Sequence, residues 1–130
     1  MRLVLGGIMM NRRKDKCNPF KLAVSGIVYA IEQELNIMII MGITIALLIL
    51  GFIFNISNIE LCLVVLSMGA LMAFELVNCA IEATVDLVTL KTNDLAKLAK
   101  DCSGSATFIL IFVSIFVNGI IFIPKIIDLL

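Results

Sequence analysis

Glu75, Asn78, Glu82 and Asp86 fall in one otherwise apolar stretch, Phe74-Glu75-Leu76-Val77-Asn78-Cys79-Ala80-Ile81-Glu82-Ala83-Thr84-Val85-Asp86, at separations of three, four and four residues. On an α-helix this spacing gathers them within an arc of roughly 80°, so they form one polar stripe. A second polar cluster follows at Leu95-Ala96-Lys97-Leu98-Ala99-Lys100-Asp101. Carboxylates and a lysine that converge at one interface could hold a divalent cation and a phosphate chain. Mg²⁺ prefers oxygen ligands and usually divides its coordination between one or two carboxylates and substrate phosphates. In phosphoryl transfer the protein mainly positions reactants and neutralises spreading charge, so a base, a metal and a lysine are a sufficient minimum.

Plainer readings compete residue by residue. Glu75 and Asn78 could be hydrogen-bonding glue between helices, with Glu82 and Asp86 solvated at a helix end, but glue seldom needs several acids on one face. Lys97 reads best as a contact to anionic headgroups. The chain has no histidine, which excludes His-based zinc sites, Ser-His triads and His relays. It has neither a Gly-x-x-x-x-Gly-Lys-Ser/Thr loop nor a Rossmann fingerprint. Cys17, Cys62, Cys79 and Cys102 show no paired spacing and read as small apolar residues. Gly42, Gly51 and Gly69 read as helix-packing or turn positions. No nucleic-acid partner is expected.

The elements that must position the stripe are membrane spans. Apolar residues make up 62% of the chain and charged ones 15%, with a mean hydropathy of +1.15, well beyond a soluble domain of this size. Ile37 to Phe54 and Cys102 to Ile123 carry no charge, and Leu61 to Phe74 is uncharged up to Glu75. The expected fold is all-α, with transmembrane spans at about 36–55, 61–89 and 101–123. The second is read as one long helix. Counted from Leu61 at about 1.5 Å per residue, Glu75 lies roughly 21 Å and Glu82 roughly 31 Å into a core about 30 Å thick. Glu75 is thus in hydrocarbon, where a carboxylate costs at least about 2.5 to 3.5 kcal/mol unless it is paired or wetted.

Arg2, Arg12, Arg13, Lys14, Lys16 and Lys21 precede the first span, and Lys91, Lys97 and Lys100 lie between the second and third. The loop Asn55 to Glu60 has no Lys or Arg, and Lys125 stands alone at the end. This bias puts the N-terminus and the second loop in the cytoplasm. Residues 1–18 read as a basic cytoplasmic segment and 19–130 as one membrane domain. Leu3 to Met10 is too short, and its flanking charges are in the wrong order, for a cleaved signal; translation from Met9 or Met10 is the plainer expectation. From Pro19, suited to a first helical turn, the residues Phe20, Val24, Ile27, Ile31 and Leu35 build one apolar face for lying on the membrane surface. On that wheel Glu32 is solvated and Glu34 lies roughly 70° from the centre of the apolar face, provided the helix runs unbroken to Asn36.

The stripe from Glu75 to Asp86, followed after a short loop by Ala99-Lys100-Asp101, resembles the prokaryotic diacylglycerol kinase family of membrane phosphotransferases. The resemblance covers about Pro19 to Lys125, with Ala80-Ile81-Glu82-Ala83 and Val85-Asp86-Leu87-Val88 especially close. It implies a homotrimer of three-span subunits in a bacterial cell membrane, each with an amphipathic surface helix. Mg²⁺ and ATP would be used to phosphorylate a lipid alcohol at sites shared between neighbouring subunits. By the same resemblance Glu75 is the catalytic base, Glu34 and Glu82 bind the metal, and Glu34, Asn78, Glu82, Asp86, Lys100 and Asp101 belong to the nucleotide site. Val28 stands where members often have arginine and Leu22 where an aromatic residue is common, departures that bear on nucleotide or headgroup contacts.

Ile56-Ser57-Asn58-Ile59-Glu60 and Ile121-Phe122-Ile123-Pro124-Lys125 look more like the Gram-positive undecaprenol kinases than the Gram-negative diacylglycerol kinases. The expected reaction is undecaprenol to undecaprenyl phosphate, with diacylglycerol to phosphatidic acid as the alternative. A non-enzymatic channel or scaffold subunit is the competing class. An ion path needs acids through the whole core, and Leu61 to Ala73 has none.

Overall fold

The computed structural model describes residues 18–89, 91 and 93–129, apart from the side chain of Gln33. The basic N-terminal segment, its start at Met9 or Met10, and Cys17 lie outside the described residues. Four helices follow in order: α1 (Pro19–Gln33), α2 (Leu35–Ile53), α3 (Asn58–Val88) and α4 (Asp94–Ile127). The last three are long and apolar enough to cross a membrane. At 1.5 Å per residue the 31 residues of α3 and 34 of α4 reach about 46 and 51 Å, so both outrun a hydrocarbon core of about 30 Å.

Three of the four helices, α1, α3 and α4, start where a side chain satisfies their first amides. Asn18 accepts from Phe20 N–H ahead of Pro19, and Asn93 accepts from Leu95 and Ala96. At α3, Ser57 and Glu60 form a reciprocal capping box. The α1–α2 boundary departs from the sequence expectation. The wheel that put Leu35 on the apolar face and Glu34 near its edge needs one helix through Asn36, but α1 ends at Gln33 and Glu34 is extended (φ −119°, ψ 110°). One extended residue lets consecutive helices take different axes. Glu34 still donates its N–H to Ala30 O at 2.8 Å, while its carboxylate makes no capping bond to α2.

The turn from α2 to α3 is equally local in origin. Asn55 adopts φ 48°, a left-handed conformation that asparagine tolerates better than most residues. Ile56 N–H then reaches Gly51 O at 3.1 Å and Asn55 N–H reaches Phe52 O at 3.3 Å, the paired bonds of a Schellman stop. A Cβ on Gly51 would come within 2.8 Å of the Ile56 side chain, whereas one on Gly42 or Gly69 would meet nothing within 4 Å. Of the three glycines, only Gly51 makes a close approach inside the chain.

α3 is the central element. α2 and α4 each pack along it and are not backbone neighbours of one another, and α1 packs beside α2 and the far end of α3. Apolar contact comes in three small clusters along this seam: Ala30, Ile37 and Cys79; Ile40, Met68 and Leu71; Val64, Ile121 and Phe122. Lipid supplies no hydrophobic drive between helices, so interhelical hydrogen bonds matter, at roughly 0.6 kcal/mol each and up to about 2. The α3–α4 seam carries them at every level. Lys125 pairs with Glu60 at 3.3 Å, Ser114 Oγ and Asn118 Nδ2 reach Ser67 O and Oγ at 3.2 and 3.3 Å, and Ser103 Oγ reaches Asn78 Oδ1 at 2.7 Å. Phe20, Val24 and Ile27 of α1 are exposed on this single chain, as is much of the apolar surface of the three long helices.

Asn55→Gly should leave the thermal midpoint of the solubilised protein unchanged or slightly higher, while Asn55→Val should lose stability by about 1 to 2 kcal/mol. Equal midpoints for the two variants would remove the left-handed residue from this account of the turn.

Candidate functional site

Because α2 and α4 flank α3 without meeting, a cleft of about 430 Å³ opens between them. Met68 and Leu71 of α3 form its floor, and Ile40 and Leu47 of α2 face Ile111 of α4 across it. Glu75 lines the end of this cleft nearer Asp86 and is only 3% exposed. No side-chain hydrogen bond or ion pair holds its carboxylate among the described residues. A group of this kind is expensive in hydrocarbon and marks a functional site by default.

A second, smaller cleft of about 180 Å³ lies further along α3, bordered by Tyr29, Glu34, Cys79, Glu82, Ala83 and Asp86. The break between α1 and α2 brings Glu34 to it, so carboxylates from two segments of the chain share its wall. Glu82 Oε1 accepts from Asn78 Nδ2 at 3.4 Å. The Ser103 hydroxyl lies 2.7 Å from Asn78 Oδ1 and 2.9 Å from Lys100 O, two acceptors for its one proton. Lys100 Nζ meets Asp86 Oδ1 at 2.6 Å. Lys100 precedes the charge-free run that starts at Cys102, and its hydrogen bond to Asp86 holds its ammonium above the ordinary lysine value. Glu34, Glu82 and Asp86 thus present one sign of charge around the cleft, balanced in part by one lysine.

The structure brings Glu34, Glu82 and Asp86 around one opening and ties Asn78 to Glu82 and Lys100 to Asp86. It puts Glu75 on the other cleft, seven positions and about 10 Å of helix rise from Glu82. Asp101 is exposed, borders neither cleft, and contributes its backbone carbonyl to Ser105. Among the described residues no three His, Cys, Asp or Glu side chains gather closely enough to hold a metal. Of the three carboxylates that border the polar cleft, Asp86 is paired with Lys100; the other two, Glu34 and Glu82, are a donor set that fits Mg²⁺, which takes one or two carboxylates and fills its remaining positions with water and substrate phosphate.

Several residues here were not singled out from sequence. Tyr29 borders the polar cleft, Ser103 anchors Asn78, and Thr107, Ser114 and Asn118 line the apolar one. The last four did leave a signal, since Ser103, Thr107, Ser114 and Asn118 recur at intervals of four, seven and four residues and so share a helix face.

Comparison with known proteins matches residues 21–122 to the prokaryotic diacylglycerol kinase family, a stretch that holds both clefts. The undecaprenol kinase of Bacillus subtilis is 42% identical over 80 residues, which cover 62% of this chain and 65% of that protein. A diacylglycerol kinase of Synechocystis is 28% identical over 112 residues, 85% of this chain and 64% of the relative. The chain therefore spans just under two thirds of the length of these two relatives. A diacylglycerol kinase of Haemophilus influenzae is 31% identical over 106 residues, 81% of this chain and 90% of the relative. The chain belongs to the prokaryotic diacylglycerol kinase family.

Proposed function

We propose that this protein is a membrane lipid kinase that transfers the γ-phosphoryl group of ATP to the hydroxyl of a lipid alcohol, with undecaprenol the preferred acceptor. One observation carries the reading: Glu75, buried and without a side-chain partner, ends an apolar cleft one helical turn from Cys79, where the acid-lined cleft begins. The apolar cleft suits a lipid tail with its hydroxyl at Glu75. The acid-lined cleft suits the phosphates of a nucleotide. An ion path is poorly served, because α3 carries no acid between Leu61 and Ala73.

In this reading Glu75 takes the hydroxyl proton as the alcohol oxygen attacks the γ-phosphorus, the role of a general base. Glu34 and Glu82 would hold Mg²⁺, which when bound would neutralise charge on the substrate phosphates. Asn78, fixed by Ser103, orients the Glu82 carboxylate. Lys100 exchanges part of its pairing with Asp86 for nucleotide phosphate, and Asp101 faces the same nucleotide from the surface. α1 lies on the membrane with Phe20, Val24 and Ile27 in the lipid, and the basic N-terminus and the α3–α4 loop are cytoplasmic. Three copies assemble into a homotrimer with sites shared between neighbours. The Bacillus relative and the segments Ile56 to Glu60 and Ile121 to Lys125 favour undecaprenol; the Synechocystis and Haemophilus relatives favour diacylglycerol.

Purified protein given ATP, Mg²⁺ and either alcohol in matched micelles should show the higher kcat/KM for undecaprenol. A higher value for diacylglycerol would reverse the choice of lipid, and phosphate transfer to neither would end the kinase reading. Glu75→Gln should keep assembly and nucleotide binding while turnover falls by about 10²- to 10⁴-fold; a near-wild-type rate would remove Glu75 as the base. Glu34→Ala and Glu82→Ala should each raise the Mg²⁺ requirement. At a Mg²⁺ concentration where neither variant alone is active, mixed assemblies should recover activity if the Glu34 and Glu82 of one site come from neighbouring subunits, and inactive mixed trimers would show that both come from one subunit.

A further inference from the structure

Thr107 is the buried polar group in the apolar cleft that the reading so far does not use. It is 6% exposed, lines the cleft together with Glu75, and its Oγ1 has no hydrogen-bond partner among the described residues. A threonine in a helix ordinarily settles its hydroxyl on the carbonyl one turn back. Thr44 does so to Ile40 O and Thr84 to Ala80 O, each at 2.7 Å. Thr107 has the same option and does not take it.

The register of the helices sets its level. Ser103 bonds Asn78 and Ser114 bonds the carbonyl of Ser67, so α3 and α4 run antiparallel in fixed alignment. Moving four residues from Ser103 to Thr107 on α4 corresponds to moving from Asn78 to Phe74 on α3, the residue next to Glu75. Thr107 and Glu75 therefore stand across one cleft at one level on adjacent helices, yet are not bonded to each other. The Thr107 Oγ1 is itself closed off from the cleft, and a turn about χ1, which exchanges hydroxyl and methyl, would bring it to face an oxygen held at Glu75. Asn118 Oδ1, also buried and unpartnered, lies near Ser67, several turns from Glu75, and faces what would be lipid tail.

We infer that Thr107 is a binding group for the acceptor alcohol, donating its hydroxyl proton to the alcohol oxygen while Glu75 accepts the alcohol's own proton. This rests on the lipid-kinase reading above. An alcohol oxygen has one O–H and two lone pairs. Glu75 takes the proton as the O–H bond breaks, and one lone pair accepts from Thr107. The other forms the bond to the γ-phosphorus, as the bond from that phosphorus to the bridging oxygen breaks and its electron pair leaves on ADP. Thr107 keeps its proton throughout. It fixes which lone pair points at the nucleotide, and its contact is made to bound substrate as well as in the transition state, so its loss appears in KM.

The test is steady-state kinetics of Thr107→Val, which replaces the hydroxyl by a methyl of similar size, with undecaprenol and diacylglycerol as acceptors. KM for the phosphorylated alcohol should rise about tenfold, the scale of one neutral hydrogen bond, with kcat and the KM for ATP little changed. Thr107→Ser, which restores a hydroxyl, should return the acceptor KM toward wild type. Should the valine protein fail to assemble, Thr107→Ala carries the same expectation. An unchanged acceptor KM in an active valine or alanine variant would overturn the role of Thr107 and leave the kinase reading intact. Weakened assembly with unchanged acceptor KM would make the cleft a packing contact and overturn the role as well. A wild-type protein that phosphorylates neither alcohol would overturn both readings.

Discussion

Hydrocarbon offers no hydrogen bonds, so every polar atom that α3 carries into the bilayer must find a partner in the protein or in something the protein binds. Most of them do. Ser67 is held by Ser114 and Asn118, Asn78 by Ser103, and Glu60 and Asp86 by lysines at opposite ends of α4. These bonds fix α4 against α3 in a single register, which the thin apolar clusters could not do alone, since lipid solvates leucine and isoleucine as well as a neighbouring helix does. Glu75 is the exception. Its unpaired carboxylate gives the apolar cleft a polar end, and the chemistry proposed here follows from that one unmet demand.

Function and stability pull in different directions along this seam. An apolar side chain at Glu75 or Thr107 would relieve a buried group without a partner, so both residues are better explained by something that enters the cleft than by packing. The two clefts differ in their linings. One offers hydrocarbon walls up to Glu75, the other a rim of carboxylates with one paired lysine. In the proposed reaction their closeness along α3 would bring a lipid hydroxyl and a nucleotide phosphate within reach of one another without a phosphate-cradling loop.

Much of this was legible in the chain itself. The charge-free runs Ile37 to Phe54 and Cys102 to Ile123 mark two of the three long helices, and the periodicity that continues past Glu75 marks α3 as one helix of 31 residues. The stripe from Glu75 to Asp86 can be read because helical spacing alone puts its members on one face. The break at Glu34 was not legible, since a helical wheel assumes the continuity that this residue ends. Nor were the two separate clefts. Glu75 and Glu82 share a face, but only the failure of α2 and α4 to meet decides that Glu75 lines a different opening. Ser103 and Thr107 were passed over because small hydroxyl residues in a span look the same whether they settle on their own backbone, anchor a neighbour or wait for a ligand.

The proposed reaction requires a lipid hydroxyl at Glu75, inside the cleft between α2 and α4. Photo-crosslinking reads this directly, with an alcohol that carries a diazirine on the carbon beside its hydroxyl, followed by peptide mapping of the labelled protein. Adducts should fall on the cleft at the level of Glu75, at Asn36, Ile40, Leu71 or Thr107, and unlabelled undecaprenol should suppress them. Adducts confined to exposed positions such as Phe108, Phe112 and Phe116, unaffected by competitor, would contradict the account.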